Sequence, residues 1–138
     1  MSQSLAAGRF TPQALAALRV ITGLLFIEHG LVKLAGFPEG AQPGQQALLS
    51  LFGIGGVIEL VTGLLVVVGL FTRPAAFIAA GQMAVAYFMF HAPQGFYPVL
   101  NGGEPAILFA FIFLLLSATG AGAYSLDGQR RSKSGLTA

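Results

Sequence analysis

Four apolar stretches, each near the length a helix needs to cross a bilayer, constrain this chain more than any other feature. A membrane helix takes roughly 20 mostly apolar residues to span a hydrocarbon core of about 30 Å. Such stretches fall at about residues 13–34, 47–70, 74–91 and 105–123 of the 138. Thr11-Pro12 opens the first with a capping residue and a proline suited to the first helical position, and Pro74 and Pro105 open the third and fourth. Only 9% of residues are charged and 55% are hydrophobic, with a mean hydropathy of +0.78. A soluble domain carries about 25% charged residues, so this chain cannot cover a globule's surface with charge. It is equally too apolar to remain disordered. The expected fold is an all-α membrane protein, a four-transmembrane-helix bundle forming one domain over residues 1–138, with a polar tail at 127–138 that frays.

The absence of cysteine excludes disulfides, thiolate nucleophiles and thiolate metal sites within the chain. A net charge of +2 does not point to nucleic acid, because the basic residues sit at helix ends. With four crossings, Arg9, Arg73, Arg130, Arg131 and Lys133 share one side, Arg19 lies near it, and only Lys33 lies toward the other. The positive-inside rule therefore places both termini and the Phe71-Thr72-Arg73 turn in the cytoplasm. The first span carries Glu28, His29 and Lys33 and lacks a cleavage signature, so it is expected to stay rather than be removed as a signal peptide. Gly53, Gly55, Gly56 and Gly63 in the second span, and Ala75, Ala76, Ala79, Ala80 and Ala84 in the third, suit close helix packing. Within one bundle or across a homo-oligomer, the pattern reads the same.

Ionisable groups inside the membrane carry the functional signal, since each costs at least ~2.5–3.5 kcal/mol on insertion. Glu59 lies about 12 residues into the second span, near mid-depth, with Thr62 on its face. Its plain role is a protonated carboxyl that ties helices together; its sharper role is a ligand or proton site. In the first span Thr22, Phe26, His29 and Lys33 form one stripe, with His29 and Lys33 near the outer end and Glu28 close to that depth a quarter turn away. Lys33 has a plain explanation in snorkelling to the interface. His91 closes the third span one turn after Tyr87, and Asn101 and Glu104 open the fourth, where capping accounts for both. The loop from Pro93 to Pro98 reads as an interfacial anchor or a cover over a cavity. Glu28, His29, Lys33, Glu59, His91, Asn101 and Glu104 are thus the ligand-binding or proton-relay candidates, expected to converge in the outer half of the bundle. An apolar pocket with a few such groups suits a quinone-like ring or another lipophile. His29 and His91 leave a b-type haem open, and with a carboxylate a divalent metal, but no spacing singles out either. No phosphate loop or nucleophile–base motif is visible, so no complete catalytic site can be assigned.

The segments LRVITGLLFIEHGLVKLAGF, GIGGVIELVTGLLVVVGLFTRPAA, MAVAYFMFHAP, GFYPVLNGGEPA and GAYSLDG follow one another across Leu18 to Asp127. In their order and spacing the chain resembles the DoxX family of small bacterial membrane proteins. The resemblance implies a multi-pass protein of the bacterial inner (plasma) membrane, tied to membrane redox or sulfur metabolism through a quinone-linked oxidoreductase complex. By the same likeness His29, Gly30 and Lys33 match an H-G-x-x-K pattern, Glu59 the acidic position of the second helix, and Thr72-Arg73-Pro74 the turn. His91 and the stretch from Asn101 to Glu104 match later polar positions, whereas Glu28 and Pro105 depart from the pattern. The expectation is a subunit that binds quinone, has no intrinsic cofactor and takes electrons from a redox partner protein. The competing reading is a non-catalytic scaffold or a small-solute or proton-coupled carrier.

Overall fold

The computed structural model describes residues 8–135, all of whose regular elements are helical. Helix α1 covers Thr11–Ala35, α2 Leu51–Val68 and α3 Thr72–Ala86. From α3 the chain continues without a break through a π-helical turn, Tyr87–His91, and a 3-10 turn, Ala92–Gln94. A short α4, Pro98–Asn101, precedes α5, Glu104–Thr119, and α6, Leu126–Lys133, closes the described chain. Helices α1 and α2 and the run Thr72–Gln94 are long and apolar enough to cross a membrane, and α5 is a shorter apolar helix. These form the expected four-helix membrane bundle.

Local chemistry sets the ends. Ser50 caps α2 by accepting the Gly53 N–H at 3.0 Å, so the helix starts after the apolar residues 47–49 rather than among them. The fourth span is shorter than expected, 16 residues ending at Thr119 instead of near Ala123. Gly120 and Gly122 take positive φ there, and the Arg73 guanidinium donates to the Ser117, Ala118 and Thr119 carbonyls at the helix's negative end.

Two tight helix pairs make the bundle. Between α1 and α2 the backbones touch at glycine: a Cβ on Gly30 would lie 2.9 Å from the Gly56 carbonyl oxygen, and one on Gly23 would lie 3.0 Å from that of Gly63. Between α3 and α5 alanine does the same work, with Ala75, Ala76, Ala79, Ala80 and Ala106 all buried. Aromatic rings fill the space between the pairs. Phe26 of α1 is fully buried, its ring 5.4 Å from Phe109 and 4.7 Å from Phe113 of α5. Dispersion contacts of this kind hold helices together where lipid offers no hydrophobic contrast.

The polar tail departs from expectation. Rather than fraying, residues 126–133 are helical, capped by Ser125, whose hydroxyl accepts the Gly128 N–H at 3.0 Å. The Asp127 carboxylate accepts the Phe71 and Thr72 N–H groups at 3.0 Å each, and so satisfies orphan donors at the start of α3. Burial pushes this carboxyl up, but those hydrogen bonds and the nearby Arg130 outweigh it and hold it below the ordinary carboxylate range. Arg19, 3% exposed, donates to the carbonyls of Val67, Ala121 and Tyr124. Arg19, Arg73 and Asp127 thereby lock one end of the bundle, called here the basic end. Residues 136–138 of the expected tail lie outside the described residues.

Candidate functional site

Two adjacent glycines of α2 build the site. A Cβ on Gly56 would lie 2.9 Å from the Lys33 Cβ, so the bare backbone there admits the lysine stem from α1. A Cβ on Gly55 would lie 3.2 Å from the Gln82 amide nitrogen, so that glycine admits a side chain from α3. Both incoming groups meet Glu59, one turn further along α2. Lys33 Nζ stands 2.5 Å from Glu59 Oε1, and Gln82 Nε2 donates to the same oxygen at 3.3 Å and to the Gly55 carbonyl at 3.1 Å. Glu59 is 1% exposed and the Lys33 side chain 14%. One carboxylate thus joins three helices inside the bundle.

The hydrogen-bond inventory around it is lopsided. Glu59 Oε2 and Gln82 Oε1 are buried and have no partner among the described residues. Both are acceptors. Leaving a buried polar group unsatisfied costs ~1–3 kcal/mol, so a site with two is short of donors. Thr62 does not supply one, because its hydroxyl donates to the Ile58 carbonyl at 2.6 Å. The chemistry that suits these two acceptors is an O–H or N–H donor: a proton on Glu59, a water, or a hydroxyl of a small molecule.

Sequence reasoning singled out Lys33 and Glu59 separately; the structure pairs them, so Lys33 is held inward rather than snorkelling. Gln82 was missed. An amide within an otherwise apolar span was the available signal, by the argument already applied to Glu59.

The remaining candidates do not converge on this centre. His91 Nδ1 lies 3.0 Å from the Asn101 carbonyl oxygen. The Asn101 amide donates to Gly95 O at 2.8 Å and to the Tyr87 hydroxyl at 3.3 Å, while its Oδ1 accepts the Gly103 N–H at 2.8 Å. This ties the π-helical turn to the approach to α5, with Asn101 4% exposed. Tyr87, noted only as His91's neighbour, is a member of that lock. Glu104 stands exposed in the first turn of α5, where a carboxylate suits the helix dipole.

Glu28 and His29 are both exposed on α1, and the His29 ring meets Phe109 edge-on at 5.6 Å. They are not near the outer end. Gly23 of α1 lies against Gly63 and Val67 of α2, and Gly30 against Gly56 and Leu60, so position 28 or 29 is level with 59 or 60, the middle of α2. No group of three His, Asp or Glu side chains suited to a metal comes together among the described residues, and His29 and His91 belong to different contacts. An open apolar groove of about 490 Å³ between α3 and α5, lined by residues such as Phe77, Gly81, Phe88 and Phe111, includes neither Glu59 nor Gln82.

The family model described as DoxX matches residues 14–92, which holds Lys33, Glu59, Gln82 and His91. A protein of Haemophilus influenzae described as uncharacterized is 42% identical over 125 residues, covering 88% of this chain and 93% of the relative. An uncharacterized membrane protein of Mycobacterium tuberculosis is 31% identical over 140 residues, covering 88% and 83%. Inner membrane protein YqjF of Escherichia coli is 30% identical over 124 residues, covering 79% and 85%. No solved structure matches the chain.

Proposed function

This chain belongs to the DoxX family of multi-pass bacterial membrane proteins, and we propose that it is a membrane subunit binding a quinone or quinone-like lipophile at Lys33, Glu59 and Gln82. The observation that carries the reading is the pair of donor-less buried acceptors, Glu59 Oε2 and Gln82 Oε1, beside a bonded ammonium. Hydroxyl groups of a reduced ring would donate to those acceptors, and Lys33 would donate to a ring oxygen in the oxidised form. A quinone, when bound, supplies two-electron, two-proton chemistry. The chain's own part is to orient the ring and to hold protons at Glu59 and Lys33, with electrons delivered by a partner protein. Gln82 as a residue is half-buried on the α2–α3 seam, and the ligand would approach from there. In this reading the positive-inside rule turns the basic end to the cytoplasm.

A second reading has its own support. Lys33–Glu59 links the two helices that glycine contacts already join, so the ion pair suits a scaffold whose only task is to hold its shape. Native mass spectrometry of the protein released from bacterial membranes in mild detergent separates the two. The proposal expects a quinone-mass adduct on the wild type, lost in Gln82→Met, which leaves the Lys33–Glu59 ion pair in place and the bundle folded. A wild type that carries no such adduct, and takes up none when decylubiquinone is added, favours the scaffold.

A further inference from the structure

Glu28 and His29 stand where a membrane protein does not leave ionisable side chains open to lipid. The α1–α2 register places them level with the centre of α2, about 14–15 Å along the helix from Arg19 at the basic end. Both are exposed, and the outward surface of α1 beside them is apolar: Ile21, Leu24 and Leu25 are 54%, 49% and 46% exposed. Positions 21, 24, 25 and 28 recur at the three- and four-residue spacing of one helix face, with His29 on its α5 edge. At mid-depth such groups turn to protein or to one another. Within the chain neither finds an ion-pair partner among the described residues.

We propose that this face of α1 is a symmetric interface with a second copy of the chain, in which Glu28 of each copy meets His29 of the other. The charge pattern selects that occupant. Two copies inserted with the same topology are related by a twofold axis along the membrane normal, so only residues at equal depth can meet across it. An acid and a base at consecutive positions satisfy that condition, differing by a rise of about 1.5 Å. The twofold makes both contacts at once and leaves no unmatched charge on either copy. Ile21, Leu24 and Leu25 continue the contact toward the basic end at heptad-like spacing. The inference is independent of the ligand site, since Lys33, Glu59 and Gln82 lie inside the bundle.

A chain without cysteine makes the test direct. Single variants Ile21→Cys and Leu25→Cys on this face, Leu64→Cys on the exposed face of α2 and Phe77→Cys on that of α3 are oxidised in intact membranes at low expression. The proposal expects a band of twice the chain mass for the α1 variants alone. In the Leu25→Cys background, Glu28→His should reduce that band at least severalfold, and the swap Glu28→His with His29→Glu should restore it. Equal cross-linking on all three helices, an α1 product with a protein of another mass, or a yield indifferent to the changes at 28 and 29 would each overturn the proposal.

Discussion

The bundle ties charged side chains into its frame in two places, and the two are finished differently. At the basic end Arg19 donates to three carbonyls, Arg73 to the last carbonyls of α5, and Asp127 accepts two N–H groups at the start of α3. Arg73 and Asp127 answer orphan backbone atoms at helix termini, and Arg19 joins the end of α2 at Val67 to the Ala121 and Tyr124 carbonyls between α5 and α6. In the middle, Glu59 is held by side chains from two other helices, and two acceptors are left over. Helix ends and the turn between α5 and α6 account for the hydrogen bonds of the first region, where Arg19 Nε and Thr72 Oγ1 are also buried without a partner among the described residues. Nothing in the fold asks for the second, because a helix interior has no orphan groups and apolar residues would pack there at less cost. What sets the centre apart is that it is built from side chains of three helices rather than at helix ends, and that its two unpartnered atoms are both acceptors.

Substitutions can break this contrast, and the largest effect belongs to the centre. Glu59→Leu leaves the Lys33 ammonium without its counter-charge and should destabilise the bundle by about 3–5 kcal/mol. Lys33→Met with Glu59→Leu should recover most of that loss. Reversible unfolding in mixed micelles reads both, and a double variant as unstable as the single would mean that the pair itself holds the fold. Arg19→Met comes next. It removes charge-assisted bonds worth ~1.5–3 kcal/mol apiece, less whatever the relaxed loop regains, so a loss of about 2–3 kcal/mol is expected in the same assay with ligand binding unchanged.

Asp127→Asn should cost about 0.5–2 kcal/mol, the range for loss of a helix cap. The pH dependence sharpens this case. Its carboxyl sits below its ordinary value when folded, so its contribution is complete above about pH 4 and fades as pH falls through the lower folded value. Acid titration of unfolding should show that loss in the wild type and not in Asp127→Asn. An unaltered acid limb would remove Asp127 from the lock. Smallest of all is Gly81→Ala. No atom of the described residues lies within 4 Å of the added methyl, so the unfolding free energy should change by less than about 1 kcal/mol. A large effect there would mean that another chain covers Gly81.

The four spans and the individual charged positions were legible in the sequence, because bilayer thickness and the cost of buried charge act on each segment separately. Pairing was not. Lys33 reaches Glu59 only because Gly56 lets α1 lie against α2 in one register, and register is a property of two helices. The same limit misplaced Glu28 and His29, whose depth counted from the end of α1 differs from their depth against α2. Asp127 was read as the start of a loose tail because its acceptors' partners, Phe71 and Thr72, lie 56 and 55 residues away. Ser125 and Gly128 did carry a local cap signal.

The claim that the Lys33–Glu59–Gln82 centre takes a donor-bearing ring is tested most directly by calorimetric titration of the wild type in nanodiscs with decylubiquinone and with its quinol. The account predicts saturable binding of both, tighter for the quinol, at least tenfold weaker in Gln82→Met and unaltered in Asp127→Asn. Absence of saturable binding, or equal binding in the wild type and Gln82→Met, would contradict it.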